Sequence, residues 1–305
     1  MVYLGLLMIL IAGLGNPVQT AVNSRLRTYT LSPLIASAIS FIVGSIVLFL
    51  LTLATRHTIL VPPETAASLP WWSWAGGALG VIGLTGNILL FPKLGSLRTV
   101  LMPMIGQIVM SMIIDWFGLF GVTPVPVSTG KVLGLFTVFC GLAIYSNSRK
   151  SSGNSSGNLL WSLLAVLIGT VFAIQSAINA TLAVGISSAI HAAFISFSSS
   201  MLILLVIIAL IPSNRCLVKN AFKIRSPWWT WTGGIFGAGY VTIFAWFIPI
   251  LSLGLVSLTA IFGMLTMSTI IDSRGWFGAA KTKISACQLI GLFIVLAGIA
   301  VIKQF

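Results

Sequence analysis

The sequence is short of charge, and above all of acidic charge. Aspartate and glutamate account for three of the 305 residues and all charged residues for 6%, whereas hydrophobic residues account for 58%. A soluble globular domain carries about 25% charged residues, so the composition excludes that class. Cysteine is scarce as well: Cys140, Cys216 and Cys287 are an odd number without metal-ligand spacing, so neither a disulfide framework nor a bound metal is expected.

Motifs of known hydrolases are also missing. The chain has no HExxH zinc-protease motif, no GxSxG nucleophile elbow and no pair of carboxylates inside an apolar run. An intramembrane enzyme is therefore disfavoured, and no cofactor is expected. The 16 basic residues lie between apolar runs without the interleaved aromatic residues of a nucleic-acid groove, so a nucleic-acid partner is not expected.

Ten apolar runs are present, and each is long enough to cross a bilayer as a helix of about 20 residues. The alternating strands of a membrane barrel are absent. The first run lacks a preceding basic region, which favours a retained span over a signal peptide. The predicted fold is an all-α polytopic membrane protein with ten transmembrane helices near residues 3–22, 34–54, 73–92, 98–115, 130–147, 159–180, 189–211, 229–250, 254–271 and 284–303.

The basic residues of the loops predict the orientation of these helices. When the loops are assigned alternately to the two sides, one side holds thirteen Lys and Arg residues and the other holds Arg56, Lys131 and Lys303. Lys and Arg are retained on the cytoplasmic side of a membrane. We therefore expect a bacterial inner-membrane protein with both termini in the periplasm.

The sequence contains an internal repeat. WWSWAGGALG at 71–80 recurs as WWTWTGGIFG at 228–237, and QTAVNSRL at 19–26 recurs as QSAINATL at 175–182. A unit of five spans enters the membrane from the opposite side when it is repeated, so the two repeats are predicted to be inverted. The predicted organisation is an N-terminal repeat at 1–147, a Ser/Gly/Asn-rich cytoplasmic linker at 148–158 and a C-terminal repeat at 159–305.

These motifs, together with GQIVMSMIIDWFGLFG at 106–121, resemble the drug/metabolite transporter superfamily. More narrowly, the chain is similar to the YdcZ-type inner-membrane branch in its fused ten-span form, and the resemblance covers essentially the whole chain. It implies two inverted five-helix repeats and the transport of small metabolites, often outward. One position departs from the repeat, because Gln107 of the first half is replaced by Met264 in the second.

Neutral amides within the apolar runs are the candidate substrate ligands. Gln19 and Asn23 lie four residues apart and share one helix face, as do Gln175 and Asn179. Two interpretations stay open: such amides join helices, at about 0.6–2 kcal/mol each, or they line a substrate cavity between the repeats. The lone residues Asn16, Asn87, Gln107 and Trp246 complete the set of candidates.

Asp115 and Asp272 are the candidates for coupling or gating, since a carboxylate within a membrane is a functional candidate by default. Each lies at the end of a predicted span, where capping the following turn is the simpler role. His57 and His191 are further coupling candidates, with His191 expected at the membrane edge. The hypothesis is a secondary transporter that exports a small polar or amphipathic metabolite, with a passive facilitator or importer as alternative. Its expected partners are the substrate and the lipid bilayer. Because the two repeats of one chain form a pseudo-dimer, a monomer is expected to suffice, with a homodimer as the alternative.

Overall fold

The structure, a computed structural model, describes residues 2–56, 58–147, 158–211, 218, 226–279 and 281–304. Side chains at 91, 92, 95–98, 147 and 158 are not described. His57, Cys216 and linker residues 148–157 lie outside the described residues. Within them, Cys140 and Cys287 are free thiols.

The described chain is helical, and no strand occurs within it. Nine of its helical segments are long and apolar enough to span a membrane, and the tenth predicted span is the shorter apolar segment Gly76–Leu90. The α-helices are α1 (Val2–Thr30), α2 (Pro33–Arg56), α3 (Pro63–Ser68), α4 (Gly76–Phe117), α5 (Thr129–Asn147), α6 (Asn158–Gly185), α7 (Ala189–Leu210), α8 (Gly233–Leu251), α9 (Leu253–Arg274) and α10 (Ala286–Gln304).

Helix α4 contains two spans that run in opposite directions. Gly86 of its first part lies against Ile168 of α6, and Pro103 of its second part lies against the adjacent Gly169. A straight helix would separate residues 86 and 103 by about 25 Å, so the chain reverses between them. We call the two parts the first and second legs of α4: Gly76–Leu90 and Thr99–Phe117.

Equivalent helices of the two halves run antiparallel. Where α2 packs on α7, Phe41 meets Phe197, and Phe49, two turns later, meets the earlier residue Phe194. Helices α5 and α10 pack in the same antiparallel sense along their glycines. The prediction of two inverted five-helix repeats in an all-α membrane fold is therefore confirmed.

The repeats meet at two close helix crossings that depend on glycine. Helix α1 crosses α9, where Gly263 faces the backbone of Leu10 and Leu14, and α6 crosses the second leg of α4 at the equivalent Gly106. A Cβ atom on Gly263 would lie 2.6 Å from the carbonyl oxygen of Leu10, which is closer than van der Waals contact allows. Glycine therefore brings the two backbones together, as small residues do between membrane helices.

Candidate functional site

The repeated Gln/Asn motif packs on the repeated glycine motif of the other half. Gln19 and Asn23 of α1 lie against Gly237 and Gly233 of α8, and a Cβ atom on either glycine would overlap the amide. The equivalent contacts place Gln175 against Gly80 and Asn179 against Gly76. Both motifs occur twice because each side of the interface combines amides from one repeat with glycines from the other.

A cavity of about 90 Å³ lies between the two repeats, beside these contacts. No acidic, basic or histidine side chain lines it within the described residues. Among the same residues, no three His, Cys, Asp or Glu side chains cluster as a metal site would require. Six of the eight predicted substrate ligands line the cavity: Asn16, Gln19, Asn87, Gln107, Gln175 and Asn179.

Most of these amides lack a hydrogen-bond partner in the described part of the protein. The side chains of Asn16, Gln19 and Gln175 form no hydrogen bond there. The Oδ1 atom of Asn87 and both amide atoms of Asn179 are buried without a partner. More than nine in ten buried polar groups in proteins are paired, so the unpaired amide atoms of Asn87 and Asn179 are unusual for a protein interior.

Gln107 is the exception among the lining amides. Its Nε2 donates a hydrogen bond to the hydroxyl of Tyr240 over 3.2 Å, and the Tyr240 ring stacks on Phe244 with a centroid distance of 4.1 Å. Sequence reasoning missed Tyr240 as part of the site. It also missed the rings of Phe41 and Phe197, although these two occupy equivalent positions in the repeat and both line the cavity.

Asn23 does not line the cavity. Its side chain is 1% exposed, and its Nδ2 donates to Ser40 Oγ of α2 over 3.2 Å. Asn179, its equivalent, has no such bond and lines the cavity. In this conformation Asn23 joins helices within the first repeat, so the residues predicted as a symmetric pair have different surroundings.

Trp246 also lies outside the cavity, which differs from the expectation that it forms part of the substrate site. Its side chain is 52% exposed and stacks on Phe247 with a centroid distance of 5.6 Å. It borders a separate surface groove that also includes Arg56 and Pro249. The helix periodicity of α8 turns position 246 away from the face that carries Tyr240 and Phe244.

Asp115 connects the end of α4 to the start of α9. Its side chain is 3% exposed, with Oδ1 accepting from the Leu253 amide over 3.0 Å and Oδ2 from the Gly254 amide over 2.7 Å. A carboxylate is favourable at a helix N-terminus, where unpaired amides carry partial positive charge. The expected capping of its own following turn is therefore wrong, because Asp115 caps a helix of the other repeat.

Asp272 occupies the equivalent place at the end of α9 and is likewise buried. Its backbone carbonyl accepts from the Thr282 amide over 2.9 Å, as the Asp115 carbonyl accepts from the Val125 amide over 2.7 Å. Neither aspartate lines the cavity. A direct contact between either carboxylate and a substrate in the cavity is thus absent from this conformation.

Arg56 and His191 join the two repeats on the side predicted as periplasmic. Arg56 Nη1 donates to the carbonyls of Ile186 and Ser187 over 2.8 and 3.0 Å, at the C-terminus of α6. His191 Nε2 lies 3.0 Å from the Ile59 carbonyl oxygen, and the ring is buried near the start of α7. A cation suits the partial negative charge of a helix C-terminus.

Comparison with known proteins gives a family and a fold. The family described as "Putative inner membrane exporter, YdcZ" matches residues 4–144 and again residues 160–301. A solved structure described as "Crystal structure of protein" has a TM-score of 0.61 at 16% identity, over 96% of this chain and 95% of that one. No curated protein matches. The family is one of transporters rather than enzymes, and the structural likeness supports the fold alone.

Proposed function

The chain belongs to the YdcZ inner membrane exporter family, and on that premise we propose that it exports a small polar or amphipathic metabolite by alternating access. The observation that carries the proposal is the cluster of unpaired amides around a cavity between inverted repeats. Secondary transporters with this architecture bind their substrates near the bilayer midplane, between the repeats. Because one chain supplies both halves of the site, the proposed functional unit is a monomer.

The shape of the cavity supports loading from the cytoplasm. It extends to Asn87 and Thr99, beside the reversal of α4 on the side where basic loops are concentrated. The equivalents in the second repeat are Phe244, which lines the cavity, and Val256, which is fully buried outside it. In the proposed cycle the two repeats exchange these surroundings, so that the cavity closes toward the cytoplasm and opens toward the periplasm.

Hydrogen bonds between the repeats support closure of the periplasmic side in this conformation. The carboxylate of Asp115 holds the start of α9, and the guanidinium of Arg56 holds the end of α6. Both contacts lie where the loop charges place the periplasm, as do both chain termini in the proposed topology. Opening toward the periplasm would require these contacts to break, which gives Asp115 a gating role without contact to substrate.

Transport by purified protein tests the proposal. Proteoliposomes are loaded with a defined mixture of small metabolites, and the external medium is analysed by mass spectrometry for those that leave faster than from protein-free vesicles. We expect Gln19→Ala and Gln175→Ala to abolish the efflux of those compounds while the protein stays folded and inserted. Unchanged efflux in both variants, with altered melting temperatures, would instead assign these amides to helix packing.

A passive facilitator is the second candidate, favoured by the absence of acidic, basic and histidine side chains from the described lining. A proton-coupled exporter needs a titratable group whose protonation responds to substrate. Efflux measured with and without an imposed pH gradient separates the two mechanisms. Equilibration of the compound at the same rate in both conditions supports the facilitator, and accumulation against its own gradient supports coupling.

A further inference from the structure

Three pairs of equivalent residues make the cavity chemically asymmetric. At these pairs the first repeat supplies an amide and the second supplies an apolar side chain, and all six residues line the cavity. The pairs are Asn16 with Phe172, Asn87 with Phe244, and Gln107 with Met264. A cavity built by an inverted repeat would be two-fold symmetric if these pairs were identical, so the site fits a ligand with two unlike ends.

Because the repeats are inverted, the residues of one of these pairs lie at different depths in the membrane. Asn87 and Phe244 are equivalent residues of inverted repeats and therefore lie toward opposite sides of the membrane. Near the Asn87 end the amide oxygen is buried without a partner, whereas at the other end Phe244 stacks on Tyr240. The wall of the cavity at Asn87 thus offers an unpaired hydrogen-bonding group, whereas the equivalent wall at Phe244 is aromatic and apolar.

The unpaired groups also restrict the charge of the ligand. Amide side chains present both donors and acceptors, and no described lining residue carries a formal charge. A buried charge without an opposite partner is strongly disfavoured. The rings of Phe172 and Phe244 could attract a cation through their faces, but no carboxylate of the described lining would neutralise it.

On these grounds, and resting on the proposed transport function, we propose that the cavity selects small uncharged solutes with a hydrogen-bonding head and an apolar tail. The head carries both donors and acceptors, as a primary amide does, and lies toward Asn87. The tail lies toward Phe244. The cavity volume of about 90 Å³ suits a compact solute.

A matched set of probes tests this selectivity directly. Propionamide, propionate and propionamidine share an ethyl group and differ in charge, and formamide keeps the amide head without the tail. Dissociation constants are measured by thermal-shift titration of the purified full-length protein. We expect propionamide to bind at least tenfold more tightly than each of the other three probes.

Variants then locate the binding. Asn87→Leu and Gln107→Met, the latter introducing the residue found at the equivalent position, should each weaken propionamide binding about tenfold. Gly239→Ala is the control, because a Cβ atom there would meet nothing within 4 Å, and it should bind as the parent does. Two conservative variants on different legs of α4 keep the test valid if one fails to fold.

Several results would overturn the proposal. Tighter binding of propionate or propionamidine contradicts the inferred charge, equal binding of formamide contradicts the role of the tail, and binding by none of the probes contradicts the site itself. The transport proposal can fail independently of the selectivity. If Gln19→Ala leaves efflux intact while the neutral probe binds most tightly, only the transport role of the cavity is contradicted. If Gln19→Ala abolishes efflux but a charged probe binds most tightly, only the inferred selectivity is contradicted.

Discussion

The close crossing of α1 and α9 predicts a large effect for the single methyl group added by Gly263→Ala. The new Cβ atom would lie 2.6 Å from the Leu10 carbonyl oxygen and 3.0 Å from the Leu14 amide nitrogen, whereas ordinary contact begins at 3.4 Å. The first contact alone therefore requires a displacement of about 0.8 Å. Both neighbours are backbone atoms of a helix, so no rotamer change can relieve the overlap and the helices must separate.

The magnitude follows from two opposing terms. Overpacking in a well-packed interior costs about 1–3 kcal/mol, while replacing glycine by alanine within a helix contributes about 1 kcal/mol in the other direction. We expect a net loss of up to about 2 kcal/mol for Gly263→Ala. The control Gly239→Ala has the same propensity gain without overlap, so it should be neutral or stabilised by up to about 1 kcal/mol.

The assay is thermal unfolding in detergent, followed by tryptophan fluorescence and by the loss of the monodisperse elution peak. Because a ten-span protein need not unfold in two states, the comparison is made between apparent melting temperatures of matched variants. We expect Gly263→Ala to melt about 2–6 °C below Gly239→Ala. Gly106→Ala, at the equivalent crossing of the other repeat, should change in the same direction. A melting temperature for Gly263→Ala equal to or above that of the control would refute the role of this glycine as the contact between repeats.

Three further predictions concern the polar contacts between and within the repeats. Asp115→Asn removes the charge that caps α9 and should lower the free energy of unfolding by about 2 kcal/mol. In a Leu253→Cys background it should also raise the rate at which an external thiol reagent labels position 253. An unchanged labelling rate would contradict the gating role of Asp115. Arg56→Gln releases two carbonyls at the end of α6 and should increase transport turnover or periplasmic labelling relative to Lys131→Gln, a change on the same predicted side; a decrease in both would assign Arg56 to another role. Asn23→Ala removes the bond to Ser40 and should lower the melting temperature, in line with a loss of about 0.6–2 kcal/mol, while propionamide still binds. Gln19→Ala should instead weaken propionamide binding and leave the melting temperature unchanged. Identical behaviour of the two variants would contradict the distinction between Gln19 as a cavity residue and Asn23 as a helix contact.

Much of the architecture follows from local features of the chain. Hydropathy located the spans because each one must satisfy its backbone hydrogen bonds within itself in the bilayer. The boundaries were less accurate: α1 continues from the predicted end at residue 22 to Thr30, since a helix can extend into the polar interface without being apolar. The repeat and its inversion followed from matching motifs and from an odd number of spans.

The site could be predicted only as a set of residue types. The spacing of Gln19 and Asn23 places them on one helix face, but whether that face meets Ser40, a glycine or an open cavity depends on helices distant in sequence. The same limit applied to Trp246, which was a candidate for the substrate site although half of its surface is exposed. Local periodicity specifies direction around a helix and not the identity of the neighbour.

The sequence by itself determined that this is a helical membrane protein and that one five-span unit is present twice in opposite senses, and its basic loops predict the orientation. These properties depend on local hydrophobicity, on charge and on counting, which need no knowledge of contacts. The tertiary structure decided which amides meet in the central cavity, that Asp115 caps a helix of the other repeat, and that the equivalent positions which differ in chemistry line that cavity. Those properties depend on contacts between residues more than 100 positions apart, and such contacts exist only once the two repeats have packed against each other.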